Sequence, residues 1–416
     1  MLSLYPRWPA LLVLAAACGG GDPGAIDAPG GDPKIDAPPN RCQPIPATGQ
    51  FNKRQGNPRL LPKQTFGDGK IDLSIADPDV RWDGALYQLY YGATHATSFN
   101  DPEKVQVIRH ATSPDKVTWT VDDQPVLTAS PDTAAWDHTH TEKPTVAFNP
   151  NAPPDRRYLM LYSGASGTFP GRTFPAYAIG AAFSADGVSF TRVPAAESPF
   201  GKAGLVLTGK AAYPAAVEAM VADPEVVFVD GTYHLWFSSF ACEGAGCATV
   251  SDFGIAYATS TDGVQWTVRA APVKSLLRAS ANDTTGGQQP SVIYDAEHCR
   301  WEMWLTNDAP GETNAQPVAF NNTAGVWHAD STDGVVWNIF YTGARNLTWN
   351  ATTPDAGEAL GLLTGADVAQ NSTGRLMLYV GFDDKNVPPG FSLPDRTPQG
   401  SRPGVMTLNI ATRDLP

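Results

Sequence analysis

The chain has 416 residues, 42% of them hydrophobic, enough for one large core or two ordinary ones. With 39 glycines, 37 prolines and 10% aromatic residues, it suits many short strands joined by turns better than a helical protein. A net charge of −13, with no run of five Lys or Arg, argues against a nucleic-acid groove or an anionic membrane surface as partner.

Residues 1–17, MLSLYPRWPALLVLAAA, carry one Arg and then an apolar run from Trp8 to Ala17 that is too short to cross a bilayer as a helix. Small residues lead into Cys18, as in a bacterial lipobox. The segment therefore predicts a lipoprotein signal peptide, with lipidated Cys18 anchoring an exported protein to the cell envelope. A plain secretory signal cut near the same alanines is the alternative. Residues 18–50 are rich in Gly, Pro, Asp and Ala, repeat IDAPGGDP and IDAPP, and read as a disordered tether. The folded domain is expected over 51–416.

Internal repeats dominate that domain. A Pro-Val strand start followed by an aromatic strand occurs at DPDVRWDGALYQLYYG (from Asp77), KPTVAFNPNAPPDRRYLMLYSG (Lys143) and DPEVVFVDGTYHLWFSS (Asp223). It recurs at QPSVIYDAEHCRWEMWLTN (Gln289) and, degenerate, at GADVAQNSTGRLMLYVG (Gly365). A second motif, such as ATSTDGVQW from Ala258, places serines at 113, 184, 260 and 331. Alternations such as Tyr87/Leu89/Tyr91 have the period of strands, and the Asp-Gly pairs at 186–187, 262–263 and 333–334 are hairpin turns. Sheets of about four strands cannot cover both faces alone, and radial packing solves this. The prediction is an all-β, five-bladed β-propeller of four-stranded antiparallel blades. The segment RLLPKQTFGDGKIDLS is expected to run against the first or last blade and help close the ring.

Apart from Cys18 the cysteines are Cys42, Cys242, Cys247 and Cys299, which allow three disulfide connectivities in an oxidising compartment. A local clip between Cys242 and Cys247 is the preferred pairing. Zinc is the rival, but no matching Cys/His pair stands nearby, so no metal or other cofactor is expected.

In a propeller the first strands line one channel, so equivalent residues of different blades converge. The residues before the proline position are Asp77, Lys143, Asp223, Gln289 and Gly365; those just after it are Asp79, Thr145, Glu225, Ser291 and Asp367. A constant frame with variable polar flanks is the pattern of a site assembled from several blades. Asp before Pro also serves as a turn acceptor, and that structural role competes for each acid. His138 and His140 form an i, i+2 pair, and Tyr90, Trp236 and Trp304 offer flat faces for sugar stacking or for blade packing.

The repeat resembles the five-bladed β-propeller glycoside hydrolases, the superfamily of arabinanases, β-xylosidases, invertases and levansucrases, over roughly residues 60–416. The resemblance implies a carboxylate pair that cleaves a glycosidic bond, one protonated to serve the leaving oxygen and one ionised. Asp77 in ADPDV matches the first-blade Asp-Pro, base in inverting members and nucleophile in retaining ones. The family's blade-three Glu is replaced by Ala222, so Asp223 is assigned as acid, with Glu142 as the alternative. Lys143, Gln289, His138 and Glu225 are assigned as substrate contacts. The expected function is an exported glycoside hydrolase, monomeric, acting on an extracellular polysaccharide or oligosaccharide. The alternative is a non-catalytic propeller lipoprotein that binds glycans or a surface partner. A lyase or phosphorylase on the same scaffold is a third reading.

Overall fold

Each Pro-Val segment becomes the first strand of an antiparallel sheet. The computed structural model describes residues 51–54, 65–98, 101–170, 175–244, 247–269, 287–307, 325–339, 347–348, 364–383 and 405–414. The expected signal peptide and tether, with Cys18 and Cys42, lie outside the described residues. Ile71–Trp82, Tyr87–Ala96, Val105–Ser113 and Thr120–Val121 pair in that order to form blade one. His140–Phe148, Tyr158–Ala165, Ala178–Ser184 and Thr191–Arg192 form blade two, and Glu218–Val229, Thr232–Glu243, Thr249–Ser260 and Thr267–Val268 form blade three. Gln288–Asp295, Arg300–Asn307, Gly325–Ser331 and Asn338–Ile339 make blade four. Thr364–Asn371, Gly374–Asp383 and Val405–Asp414 make blade five, whose fourth strand is Asn52–Lys53 from the start of the domain. The fold is a five-bladed β-propeller.

Asn52 lies opposite Thr412 and Lys53 opposite Ala411, so the two ends of the domain are hydrogen-bonded into one sheet. The segment expected to run against the first or last blade lies, over its last described residues, in the first. Its C-terminal part, Ile71–Ser74, is already blade one's own inner strand, with Ile71 opposite Ala96. Among the described residues, strand closure is made by the upstream pair Asn52–Lys53.

The period-two aromatics are the packing layers between blades. Tyr90, Trp236 and Trp304 are 2%, 0% and 0% exposed, so they pack blades and present no face to a sugar. The Tyr90 hydroxyl donates to the Gly187 carbonyl at 2.7 Å, and the Trp236 indole N–H donates to Gly334 O at 2.9 Å. In both cases an aromatic of one blade grips the Asp-Gly turn of the next. The turns are self-capped: Asp262 Oδ1 accepts from the Val264 and Gln265 N–H groups, both at 2.8 Å. Asp115, Asp186 and Asp333 repeat the arrangement, and the same backbone N–H donors hold Asp115 down to about 2. Cys242 and Cys247 are disulfide-bonded, with Cα atoms 5.2 Å apart, as the loop spacing predicts, and Cys299 is disulfide-bonded as well.

Candidate active site

Five bulges build the site. In every blade the inner strand places two residues opposite one of its partner: 77–78 face Tyr91, 143–144 face Tyr162, 223–224 face Phe237, 289–290 face Leu305, and 365–366 face Tyr379. The first residue of each bulge is left-handed, with φ of 55° at Asp77, 49° at Lys143, 47° at Asp223, 51° at Gln289 and 54° at Gly365. Four are non-glycine residues that precede proline, where the backbone is normally extended. The sequence marks these positions through the Pro-Val frame but not their conformation, which comes from ring packing.

Two sets of hydrogen bonds fix the bulges. In the upper set, the Asp223 and Gln289 N–H groups donate to Ser163 Oγ and Ser238 Oγ, both at 2.9 Å. Gly365 N–H donates to Thr306 Oγ1 at 3.1 Å. Each acceptor stands on the second strand of the preceding blade.

The lower set runs fully around the channel. Val146, Val226, Val292, Val368 and Val80 donate their N–H groups to Asp79, Thr145, Glu225, Ser291 and Asp367, each acceptor on the blade before, at 2.5–3.2 Å. Glu225 also accepts from Thr145 Oγ1 and is only 1% exposed. Its expected role as a substrate contact is therefore corrected: it is a structural acceptor that ties blade three to blade four. Oxygens of Asp79, Glu225 and Asp367 lie within 4.8 Å of one another, a hard-oxygen set of the kind that can hold a cation. Lys143 already brings a positive charge to this region.

Above that ring, Asp77, Glu142 and Asp223 come together from three blades. Each keeps part of its surface open to the channel. Burial, then the negative charges of Glu142 and Asp223, push Asp77 up to about 7, against the pull of Lys143. Burial also raises Asp223, opposed by Lys143 and by a hydrogen bond from Ser238. Both residues are partly exposed, yet protein atoms surround their carboxyls closely enough for burial to be the largest influence on each.

Lys143 is 2% exposed. Burial alone would lower its pKa, but Asp77, Asp367, Glu225 and Asp223 hold it above the ordinary value. The expected substrate contact is thus corrected to a buried counter-ion between the two acid layers. Gln289 is partly exposed, and its Oε1 accepts from Gly365 N–H at 3.0 Å. His138 Nδ1 lies 2.7 Å from the Ser130 carbonyl oxygen. His140 lies edge-on to Tyr177, with ring centroids 5.9 Å apart.

Tyr177 is the residue that sequence reasoning missed. Its hydroxyl donates to Glu142 Oε1, and burial with Glu142, Asp77 and Asp223 raises it well above its ordinary pKa. It lies on the stretch before Ala178–Ser184, outside both repeated motifs, so no periodic signal points to it. Chemically, the site offers two half-open carboxyls with raised pKa, a third carboxylate held by a tyrosine, and one buried ammonium.

No protein-family model and no curated protein matches the chain. Solved structures do. A protein named glycoside hydrolase aligns over 87% of this chain and 92% of its own, at 12% identity and a TM-score of 0.57. A glycosyl hydrolase from Bacteroides ovatus covers 90% and 96%, at 14% identity and a TM-score of 0.54. A structure from work on GH130, a family of mannoside phosphorylases containing glycoside hydrolases that target β-1,2 mannosidic linkages in Candida mannan, covers 89% and 96%, at 13% identity and a TM-score of 0.52. What these share with the chain is the fold, over nearly its whole length.

Proposed function

We propose that the protein is a glycoside hydrolase acting on an extracellular glycan through Asp77 and Asp223. The observation that carries this reading is the convergence of half-open acids at strained bulges of different blades, with Asp77 raised to about 7. Asp223 donates its proton to the leaving oxygen as the C–O bond breaks. Ionised Asp77 supplies the electron pair on the opposite face, either directly or by taking a proton from water. A base with a pKa near 7 is strong and about half ionised at neutral pH, and Asp223 acts as the acid in the state of the Asp77–Asp223 pair in which it holds the shared proton. Glu142, engaged by Tyr177, raises Asp77 by its charge, and Lys143 limits that rise.

Export and a lipid anchor at Cys18 belong to the same reading. The Cys242–Cys247 bridge supports an oxidising compartment. The test is a screen of neutral polysaccharides and aryl glycosides with wild type and Asp77→Asn. Wild type should release sugar, and the variant should lose at least about a hundredfold in kcat/KM. An equally active variant removes Asp77 from the mechanism. A wild type that binds but never cleaves glycans points to the non-catalytic reading.

A further inference from the structure

The Cys242–Cys247 bridge and Tyr177 belong to one assembly. Tyr177 ends the connection between the second and third strands of blade two, Tyr158–Ala165 and Ala178–Ser184. The described limbs of that connection, 166–170 and 175–177, pair with each other. Thr168 and Pro175 form an antiparallel bridge, and Ala176 N–H donates to Gly167 O at 3.1 Å. The connection also meets blade three. Phe169 is buried against Cys242 and Cys247, with Met220 and Phe240 at the edge of the cluster. The Phe169 ring stands edge-on to Phe240, centroids 5.5 Å apart. The Tyr177 carbonyl accepts from Val221 N–H at 3.4 Å. Met220 and Val221 lie on the inner strand Glu218–Val229, just before Asp223.

We propose that the disulfide clip supports the carboxyl set: it seats Phe169, and the connection that Phe169 anchors holds the Tyr177 hydroxyl on Glu142. One long hydrogen bond to a backbone N–H does little against the entropy of ordering such a connection. A phenylalanine ring buried on a covalently closed loop adds the apolar contact that fixes it. Phe169 and Tyr177 are thus positioning residues, acting on Asp77 through Glu142. A phenol that donates to a carboxylate favours its ionised form. Asp77 faces Glu142, Lys143 and Asp223; burial raises its pKa most, and the charge of Glu142 raises it further. His140, edge-on to Tyr177, has its pKa lowered by burial and brings no charge near pH 7. With Tyr177 withdrawn, Glu142 takes up a proton more readily and Asp77 releases its own at lower pH. For its effect on catalysis the inference rests on the hydrolase reading.

The test compares wild type with Tyr177→Phe, Phe169→Ala and the double variant Cys242→Ser/Cys247→Ser. Melting temperature and near-ultraviolet circular dichroism report the fold. The readout is the midpoint of the Asp77 carboxyl titration by carbon-13 NMR, which a clip that only stabilised blade three would leave in place. All three variants should lower it by about half a pH unit or more, and the acid limb of kcat/KM should move with it. An unchanged or raised midpoint in Tyr177→Phe overturns the proposal. So does a wild-type midpoint in the folded Phe169 or cysteine variant. Should those two fail to fold, Phe169→Leu decides: a midpoint below that of wild type supports the proposal, and an unchanged one overturns it. The titration needs no substrate, so the two claims fail separately. A wild type that releases no sugar defeats the hydrolase reading and leaves the midpoints to judge the support.

Discussion

Asp77, Lys143, Asp223 and Gln289 each hold a backbone conformation that costs roughly 1–3 kcal/mol, in the same place in four blades. The strain recurs at the first residue of each bulge, the position that carries the polar side chains of the site. At Asp77 there is a second cost. Its pKa rises from the ordinary 3.8 to about 7, so the folded state binds this proton more tightly than the unfolded chain does. Between those values the folded state holds more protons, and stability falls as pH rises through the window. Asp77→Asn removes the effect. The variant should melt a few degrees above wild type near pH 8 and close to it near pH 4, as differential scanning calorimetry can show. The same melting difference at both pH values would mean that Asp77 titrates normally.

At the scale of elements, buried hydrophobic layers pack neighbouring blades together, and one repeated hydrogen bond ties each blade to the next. Asp79, Thr145, Glu225, Ser291 and Asp367 differ in charge and size, yet each accepts the valine N–H of the next blade. Ser291 is 0% exposed, so Ser291→Ala leaves the Val368 N–H buried without its acceptor. Chemical denaturation should show a loss of about 1–3 kcal/mol, and a loss below about 0.5 kcal/mol would show that the ring is dispensable. The blades themselves are legible in the sequence because they follow local rules: period two at Tyr87/Leu89/Tyr91, Asp-Gly turns, a Pro-Val start. The bulges are half legible. Variation at Asp77, Lys143, Asp223 and Gln289 marks the positions, but burial alone separates Lys143 and Glu225, which serve the structure, from Asp77 and Asp223. Tyr177 is illegible because it reaches Glu142 through tertiary folding from a stretch that no other blade repeats.

At the scale of the molecule, closure by Asn52–Lys53 brings residues hundreds of positions apart around one channel, and the proposed chemistry depends on their electrostatic coupling. Asp77 belongs to blade one, Glu142 to blade two and Asp223 to blade three, and the last two are what lift Asp77 beyond the effect of burial. Carbon-13 NMR titration of the Asp77 carboxyl, assigned by its loss in Asp77→Asn, measures that coupling directly. The account predicts a midpoint near 7 in wild type and a clear downward shift in Glu142→Gln and again in Asp223→Asn. A midpoint near 4, indifferent to both substitutions, would contradict it.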